Sequence, residues 1–473
     1  MSVRTSPEFS RRGFLQASVA AAGAWAIVED SLRADQHSVS ELRVAAFRFD
    51  VTPPMGHSMC GGWIKPAEAV DDELEAIGVV ILGAGAPVVL CAVDWTGLLN
   101  DAHVQWRTAL AEAAGTTPER VAVHCVHQHN APFACLEAER IVQAEGDLPH
   151  IVDLEYFDRC LTAGRKAVKA AVSGARQVTH IGFGQAPVRQ VAANRRVSRT
   201  PDGKIKAMRG SACKDEALRA LPEGTIDPNL KTIAFYDGET AVAACHYYAC
   251  HPMSYYGDGR VSSDFVGLAR KRRQAETPEC THLYFTGCAG NVAAGKYNDG
   301  SIPMRQVLAD RIYQGIVDSE NSIRREPLRS VGWHTLDVIP LPRPDLSAEA
   351  LQAQISNKDN PVVGRNRPSY MLSWLRRLEK KTPIVISSLH LNDGMTLHMP
   401  AESFIEYQLR AQNEIAKGHF VATAAYGDGG SWYVPVAPEY PNGGYEVSVA
   451  FSDPSIDDQL TAAMKAVLAS DEK

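Results

Sequence analysis

Three histidines fall within seven positions in the stretch "HCVHQHN" (124 to 130), in a chain with only 15 histidines in all. Imidazole titrates near neutral pH and ligates metals when neutral, so the cluster has two chemistries open to it, metal binding and proton transfer. The segment "RVAVHCVHQH" reads as a strand, on which successive side chains alternate faces. His127 and His129 then project to one side and His124 to the other. A His-x-His pair at a strand end suits zinc, although two hydrogen-bonded histidines at a strand edge would give the same pattern. The "NAP" that follows favours a turn, which puts His129 at the strand's end. A second candidate lies in "CHYYACHPMS", where His246 and His251 are five residues apart and face opposite ways. His251, before Pro252 at the end of the run, is the better ligand and His246 the packed residue.

Such side chains need a scaffold, and the sequence supplies one. Short apolar runs ("AIGVVILG", "PVVLCAVDW", "RVAVHCVH", "TIAFYDG", "AVAACHYYACH" and "HLYFTGCAG") read as strands, several of them buried on both faces. Between them lie helical patterns. "NDAHVQWRTALAEAAG" starts from an N-cap at Asn100 or Asp101, and the segment 153 to 174 puts Leu154, Phe157, Leu161, Val168 and Val172 on one face before a glycine stop. The expected class is α/β, a large single domain of mixed β-sheets flanked by helices, since no Pro/Ser/Gly-rich linker interrupts residues 45 to 470. No G-x-G-x-x-G turn or P-loop marks a nucleotide site. The segments 187 to 230 and 252 to 264 lack periodicity, and loops of that length in compact domains are usually functional.

Composition narrows the partner. The chain has 473 residues, 45% of them hydrophobic, with 55 acidic residues against 48 basic ones, so it lacks the basic footprint that binding nucleic acid needs. A small molecule or a lipid is the expected substrate. Ten scattered cysteines form no Cys-x-x-Cys motif, and several sit among aliphatics as apolar filler. At the N-terminus, "SRRGFL" precedes an uncharged stretch from Gly13 to Val28, and residues 1 to 35 resemble a twin-arginine export signal. The expected location is the periplasm or outside the cell, with an uncleaved signal acting as a membrane anchor as the alternative. No stable transmembrane segment is expected once the signal is removed, because no other uncharged run approaches the roughly 20 residues of a span.

Ten segments, in order along the chain, carry a resemblance to a known family: "FDVTPPMG" (49 to 56), "CGGWIKPAE" (60 to 68), "VDWTGL" (93 to 98), "HQHNAP" (127 to 132), "NRR" (194 to 196), "CHPMS" (250 to 254), "SSDFVG" (262 to 267), "GCAGNVAAG" (287 to 295), "MPAESFIEY" (399 to 407) and "WYVPVAPEYPNGGYE" (432 to 446). Together they resemble the catalytic domain of the neutral/alkaline non-lysosomal ceramidases, and residues 42 to 471 would form that domain. The resemblance implies a zinc ion held by His127, His251, Glu402 and Tyr433, and hydrolysis of an amide of the N-acyl sphingosine type by metal-activated water. It further implies that His129 handles protons, that Arg195 binds a polar head or developing oxyanion, and that Tyr445 or Tyr440 lines the site. The family's C-terminal immunoglobulin-like domain is expected to be absent.

The chain departs from the family at one chemically important place. Where the family carries G-D-V-S-P-N, this chain reads "GNVAAG", which puts Ala293 at the serine and Asn291 at the aspartate. An alanine side chain can neither attack nor hydrogen-bond, so a serine-based mechanism is excluded there. Cys288, five residues away, has no basic neighbour in sequence to activate it. Either metal-activated water suffices, or the substrate has changed and the polar run that follows, with Asn291, Lys296, Asn298 and Asp299, supplies new contacts to a carbohydrate-derived or other polar substrate. A third reading is a catalytically inactive relative that binds metal or ligand.

Overall fold

The computed structural model describes residues 32–38 and 41–469, so most of the expected export signal, residues 1 to 31, lies outside the described residues. All six apolar runs are strands, at Glu75–Leu82, Val88–Val93, Val121–Cys125, Asn229–Asp237, Thr240–Tyr248 and Thr281–Thr286. They belong to two of the three five-stranded sheets found among the described residues. In chain positions, the first runs Val121–Cys125, Val88–Val93, Glu75–Leu82, Leu42–Asp50, Arg176–Val178. The second runs Thr281–Thr286, Thr240–Tyr248, Asn229–Asp237, His180–Pro187, Arg324–Pro327. The third, Arg33–Ser38, Ser330–Val338, Ile384–Leu391, Gly394–His398, Phe420–Ala424, has no counterpart among the expected strands. Its first strand pairs antiparallel with Ser330–Val338, so the folded region begins ahead of residue 42 and takes in the end of the segment expected to be signal.

Each sheet follows one plan. Most neighbouring strands are antiparallel, but the edge strands Val121–Cys125, Thr281–Thr286 and Phe420–Ala424 lie parallel to their neighbours. These three edges meet. Ala425 N donates to Thr286 O at 2.8 Å, Cys125 N to Tyr426 O at 2.8 Å, and the Thr286 hydroxyl to Val126 O at 2.7 Å. Pairing the ends of the edges with each other satisfies backbone groups that an open edge would leave exposed. It also brings the C-terminal ends of three strands to one point, where the loops after them begin.

Helices cover the outer faces. Asp101–Ala114 follows Asn100 and stops at left-handed Gly115, and Leu154–Ser173 is capped by Asp153, whose carboxylate accepts from Tyr156 N. Phe157, Leu161 and Val168 of the expected apolar face are buried, but Leu154 is exposed because it lies in the first turn, at the rim. One continuous core extends from Leu42 to Leu468 through all three sheets. All ten cysteines are buried and unpaired, so they pack as small apolar side chains.

Candidate metal centre

The strand Val121–Cys125 ends two residues before His127, so strand alternation does not set its direction. A left-handed backbone does. His127 has φ of 78°, a conformation that costs a residue with a side chain about 1–3 kcal/mol and persists only where the surroundings enforce it. Among the described residues ten non-glycine positions have positive φ, and Cys60, His127, Ala401, Tyr426 and Trp432 of these belong to the loops around the histidines. Strain concentrated in that way marks a site held in shape by its surroundings. His127 and His129 do converge, with ring centroids 5.0 Å apart, while His124 faces away and its Nδ1 hydrogen-bonds Ala425 O at 2.8 Å.

His251 arrives from the second sheet, three residues beyond Thr240–Tyr248 and paired with Ala293 in a parallel bridge. Its ring lies 4.5 Å from that of His127 and 5.0 Å from that of His129, and all three histidines offer nitrogens within 4.8 Å of one another. Glu402, at the start of the strand Glu402–Ser403, pairs in register with Tyr433. Its Oε2 lies 3.3 Å from His127 Nε2 and 3.8 Å from His251 Nδ1.

His127 Nδ1 donates to the Thr96 carbonyl at 2.6 Å, which leaves Nε2 on the side of Glu402. Nε2 and Glu402 Oε2 lie 3.3 Å apart, and both atoms are buried with no hydrogen-bond partner. His129 Nδ1 is a third such orphan. Burial, with His127 and Arg195 adding to it, holds His129 well below the ordinary histidine value. Burial and the neighbours His127, His129 and Arg195 do the same to His251, so both are neutral at pH 7. Three imidazoles and a carboxylate brought together in this way are a fit for a divalent cation, with the Thr96 carbonyl orienting His127 in the manner usual for metal-binding histidines.

A second His/Glu group, His246, His282 and Glu320, shows the contrast. The Thr277 hydroxyl donates to Arg273 O and so accepts from His282 Nε2 at 2.8 Å. His282 Nδ1 and His246 Nε2 are hydrogen-bonded at 3.0 Å, and His246 Nδ1 and the Thr232 hydroxyl at 2.9 Å. Every ring nitrogen is used, and Arg273 holds Glu320 at 2.6 Å. His246 is thus a packed histidine, as its place in the strand suggested. Elemental analysis of a His282→Ala variant should therefore find the same metal content per chain as in the wild type.

The remaining expected site residues divide in two. Arg195, from the strand-poor segment after Ala193–Asn194, donates to the Tyr433 hydroxyl at 3.3 Å and lies 3.5 Å from Glu446; Tyr445 packs edge-on against Tyr433 at 5.7 Å. Burial works against the charge on Arg195, but Tyr433, Glu446 and Glu402 outweigh it and hold the guanidinium protonated. Burial and Glu402 push the Tyr433 phenol well up, with the phenol hydrogen-bonded to that carboxylate. Gly290 allows this assembly, because a Cβ there would lie 2.2 Å from Glu402 O.

The polar residues expected to meet substrate are engaged elsewhere. Lys296 donates to Arg219 O and Leu221 O, Asn298 to Ser211 O and Ser254 O, and Asp299 accepts from Ser301 N within its own turn. Asn291 donates to Glu406 at 2.9 Å and accepts from Ile405 N. Tyr440 donates to Ser452 O. These are bonds of a structural segment, with the side chains committed to the chain itself. Cys288 is fully buried, which pushes its thiol up and away from reactivity.

Tyr426 was not legible as a site residue. Its ring stacks on His127 at 4.2 Å and its hydroxyl lies 3.3 Å from His251 Nδ1. The signal available in the sequence was its place at the end of an apolar run, "VATAAYGDGG", which is where His127 and His251 also sit.

No known protein-family profile matches the chain, and no curated protein matches it in sequence. Solved structures do match in fold. One, described as a ceramidase complexed with C2, is 14% identical with a TM-score of 0.64 over 90% of this chain and 75% of that one. Another, neutral ceramidase from Pseudomonas aeruginosa, is 15% identical with the same TM-score over 90% of this chain and 74% of that one. The three mixed sheets with their flanking helices are therefore the α/β fold seen in neutral ceramidases.

Proposed function

We propose that the protein is an exported zinc-dependent hydrolase that cleaves an amide bond, such as the N-acyl linkage of a sphingolipid. The observation that carries this reading is the convergence of His127, His129 and His251 with Glu402, whose Oε2 lies 3.3 Å from His127 Nε2, both atoms buried and unpartnered. Zinc held by His127, His251 and Glu402, with Tyr433 next to the carboxylate, would lower the pKa of a coordinated water to about 7 and polarise an amide carbonyl. His129, neutral and adjacent, accepts a proton from the attacking water and returns it to the leaving amine. Arg195 keeps its charge and donates toward the carbonyl oxygen as negative charge develops there. Tyr433 fixes Arg195 on one side and Glu402 on the other.

The likeness of fold to neutral ceramidases supports this reading, and Ala293 shapes it. Ala293 is fully buried and bridges to His251, so the position is at the site but offers no hydroxyl. With Lys296, Asn298 and Asp299 bonded to the chain itself, the alternative of a carbohydrate-derived substrate loses the contacts that motivated it. Passage through the twin-arginine route to the periplasm or beyond belongs to the same proposal. Among the described residues no helix is long and apolar enough to cross a membrane.

The test is release of fatty acid from a short-chain ceramide by purified protein, after chelation and after zinc is restored. Release that requires zinc is expected; stoichiometric zinc binding without release from any amide would leave a metal-binding relative and end the hydrolase reading. In the same assay Ala293→Ser should change kcat/KM by less than about tenfold, because water and not a side chain is the nucleophile. A gain of several hundredfold would mean that the hydroxyl is needed after all.

A further inference from the structure

The helix Val362–Glu379 carries four arginines, and three of them have carboxylate partners: Arg365 with Asp147 at 2.8 Å, Arg376 with Glu137 at 2.8 Å and Arg377 with Asp428 at 2.6 Å. Arg367 is the exception. Among the described residues it forms no ion pair, and its Nε is buried without a hydrogen-bond partner. Its guanidinium lies over Trp63 at 5.1 Å, and Trp63 is held in turn by Asn366, the residue before Arg367, through a 2.7 Å hydrogen bond. Arg367 is half-buried, and a guanidinium held over a ring with no carboxylate partner is placed to take an anion.

Its surroundings are those of the metal centre. Trp63 packs 5.3 Å from Trp432, the neighbour of Tyr433. Arg367 acts on the ionisation of Tyr445 together with Arg195 and Glu402, and on Cys60 together with Glu402. The Arg195 guanidinium lies over the Tyr445 ring at 5.7 Å, and Tyr445 is 40% exposed. Arg195 and Arg196 share Glu446, and Arg196 and Arg199 share Glu439, whereas Arg367 has no carboxylate partner among the described residues.

We infer that Arg367 selects the substrate, and that the amide cleaved here carries an anionic group, a carboxylate or a phosphate, that seats on the Arg367 guanidinium above Trp63. This rests on the amide-hydrolase reading for the word amide but not for the anion. A neutral sphingolipid leaves Arg367 unpaired, whereas an N-acyl amino acid or an N-acyl phosphoamine gives it the charge-assisted, bidentate partner that guanidinium geometry favours.

The experiment is calorimetric binding of three probes to zinc-loaded protein: N-dodecanoylglycine, N-dodecanoylphosphoethanolamine and neutral N-dodecanoylethanolamine. The wild type should bind at least one acidic probe about 10- to 100-fold more tightly than the neutral one, the range of a charge-assisted hydrogen bond. Which acidic probe wins identifies the carboxylate or the phosphate. Arg367→Gln should erase the preference and Arg367→Lys keep part of it, with zinc content equal in all three proteins. A wild type that binds the neutral probe as tightly, or a preference that survives Arg367→Gln, overturns the inference. Should Arg367→Gln fail to fold, a preference undiminished in Arg367→Lys does the same. Hydrolysis is read separately: an Arg367-dependent preference with no zinc-dependent cleavage of any probe sinks the hydrolase and leaves the anion site standing.

Discussion

Replacing His127 with alanine is expected to lower zinc affinity by at least about 100-fold and fatty-acid release by about 1000-fold or more, with little loss of fold. Even removal of a group that only orients a metal ligand costs 10- to 100-fold, and in the proposed centre His127 is itself a ligand, its Nε2 having no other partner. Glu402→Gln makes a sharper test of the same geometry. Glutamine keeps the size of the side chain but offers a neutral amide where the carboxylate lies 3.3 Å from His127 Nε2. The variant should therefore lose most of the rise in melting temperature that zinc gives the wild type. Thermal melts of both proteins, each with chelator and with zinc, read the effect. A Glu402→Gln protein that zinc stabilises as much as the wild type would contradict the arrangement.

The second large effect is on stability. Asp428 is buried in the loop between Tyr426 and Tyr433 and holds Arg377 Nη1 at 2.6 Å, His103 at 3.5 Å and the backbone N–H groups of Asn100 and Gly430 at 3.1 Å each. Burial alone would raise its carboxyl, but Arg377 and His103 outweigh burial and hold it well below the ordinary carboxylate range. Asp428→Ala leaves Arg377 buried and unpaired and should cost about 3–5 kcal/mol in denaturant unfolding. The sign with pH follows from the depressed value. The stabilisation is complete above about pH 4, the unfolded carboxylate value, and is lost as pH falls toward the folded one. Asp428→Asn should accordingly remove part of the acid sensitivity as well as stability. Because the same loop carries Tyr426 and Tyr433, zinc affinity should fall with it.

The sequence shows much of this, and its failures have physical causes. Six of the ten strands in the first two sheets are readable because their residues are largely apolar on both faces; Val88–Val93 is buried at every position. The third sheet hides because its strands bury polar residues, among them Thr335, Ser387, Ser388, Thr396 and His398, which break any apolar pattern. The convergence of His127 and His129 was anticipated from strand alternation, yet the strand has ended by then and a left-handed residue turns the ring instead. Glu402, Tyr433 and Arg195 come together with His127 and His251 although they are scattered between residues 127 and 433, a proximity that only the resemblance to a known family suggested. The run from Lys296 to Asp299 misled because polar residues that bond their own backbone look, in sequence, like polar residues waiting for a ligand. Arg367 gave the reverse signal. One arginine among four on a helix is unremarkable until three are found paired.

The most direct test of the metal centre is an anomalous difference map from crystals of zinc-loaded protein, with data collected on both sides of the zinc absorption edge. The account predicts one strong peak per chain between His127 Nε2, His251 and Glu402 Oε2, within about 2.0–2.2 Å of each ligand atom. A map with no peak there, or with its only peak at His246, His282 and Glu320, would contradict it.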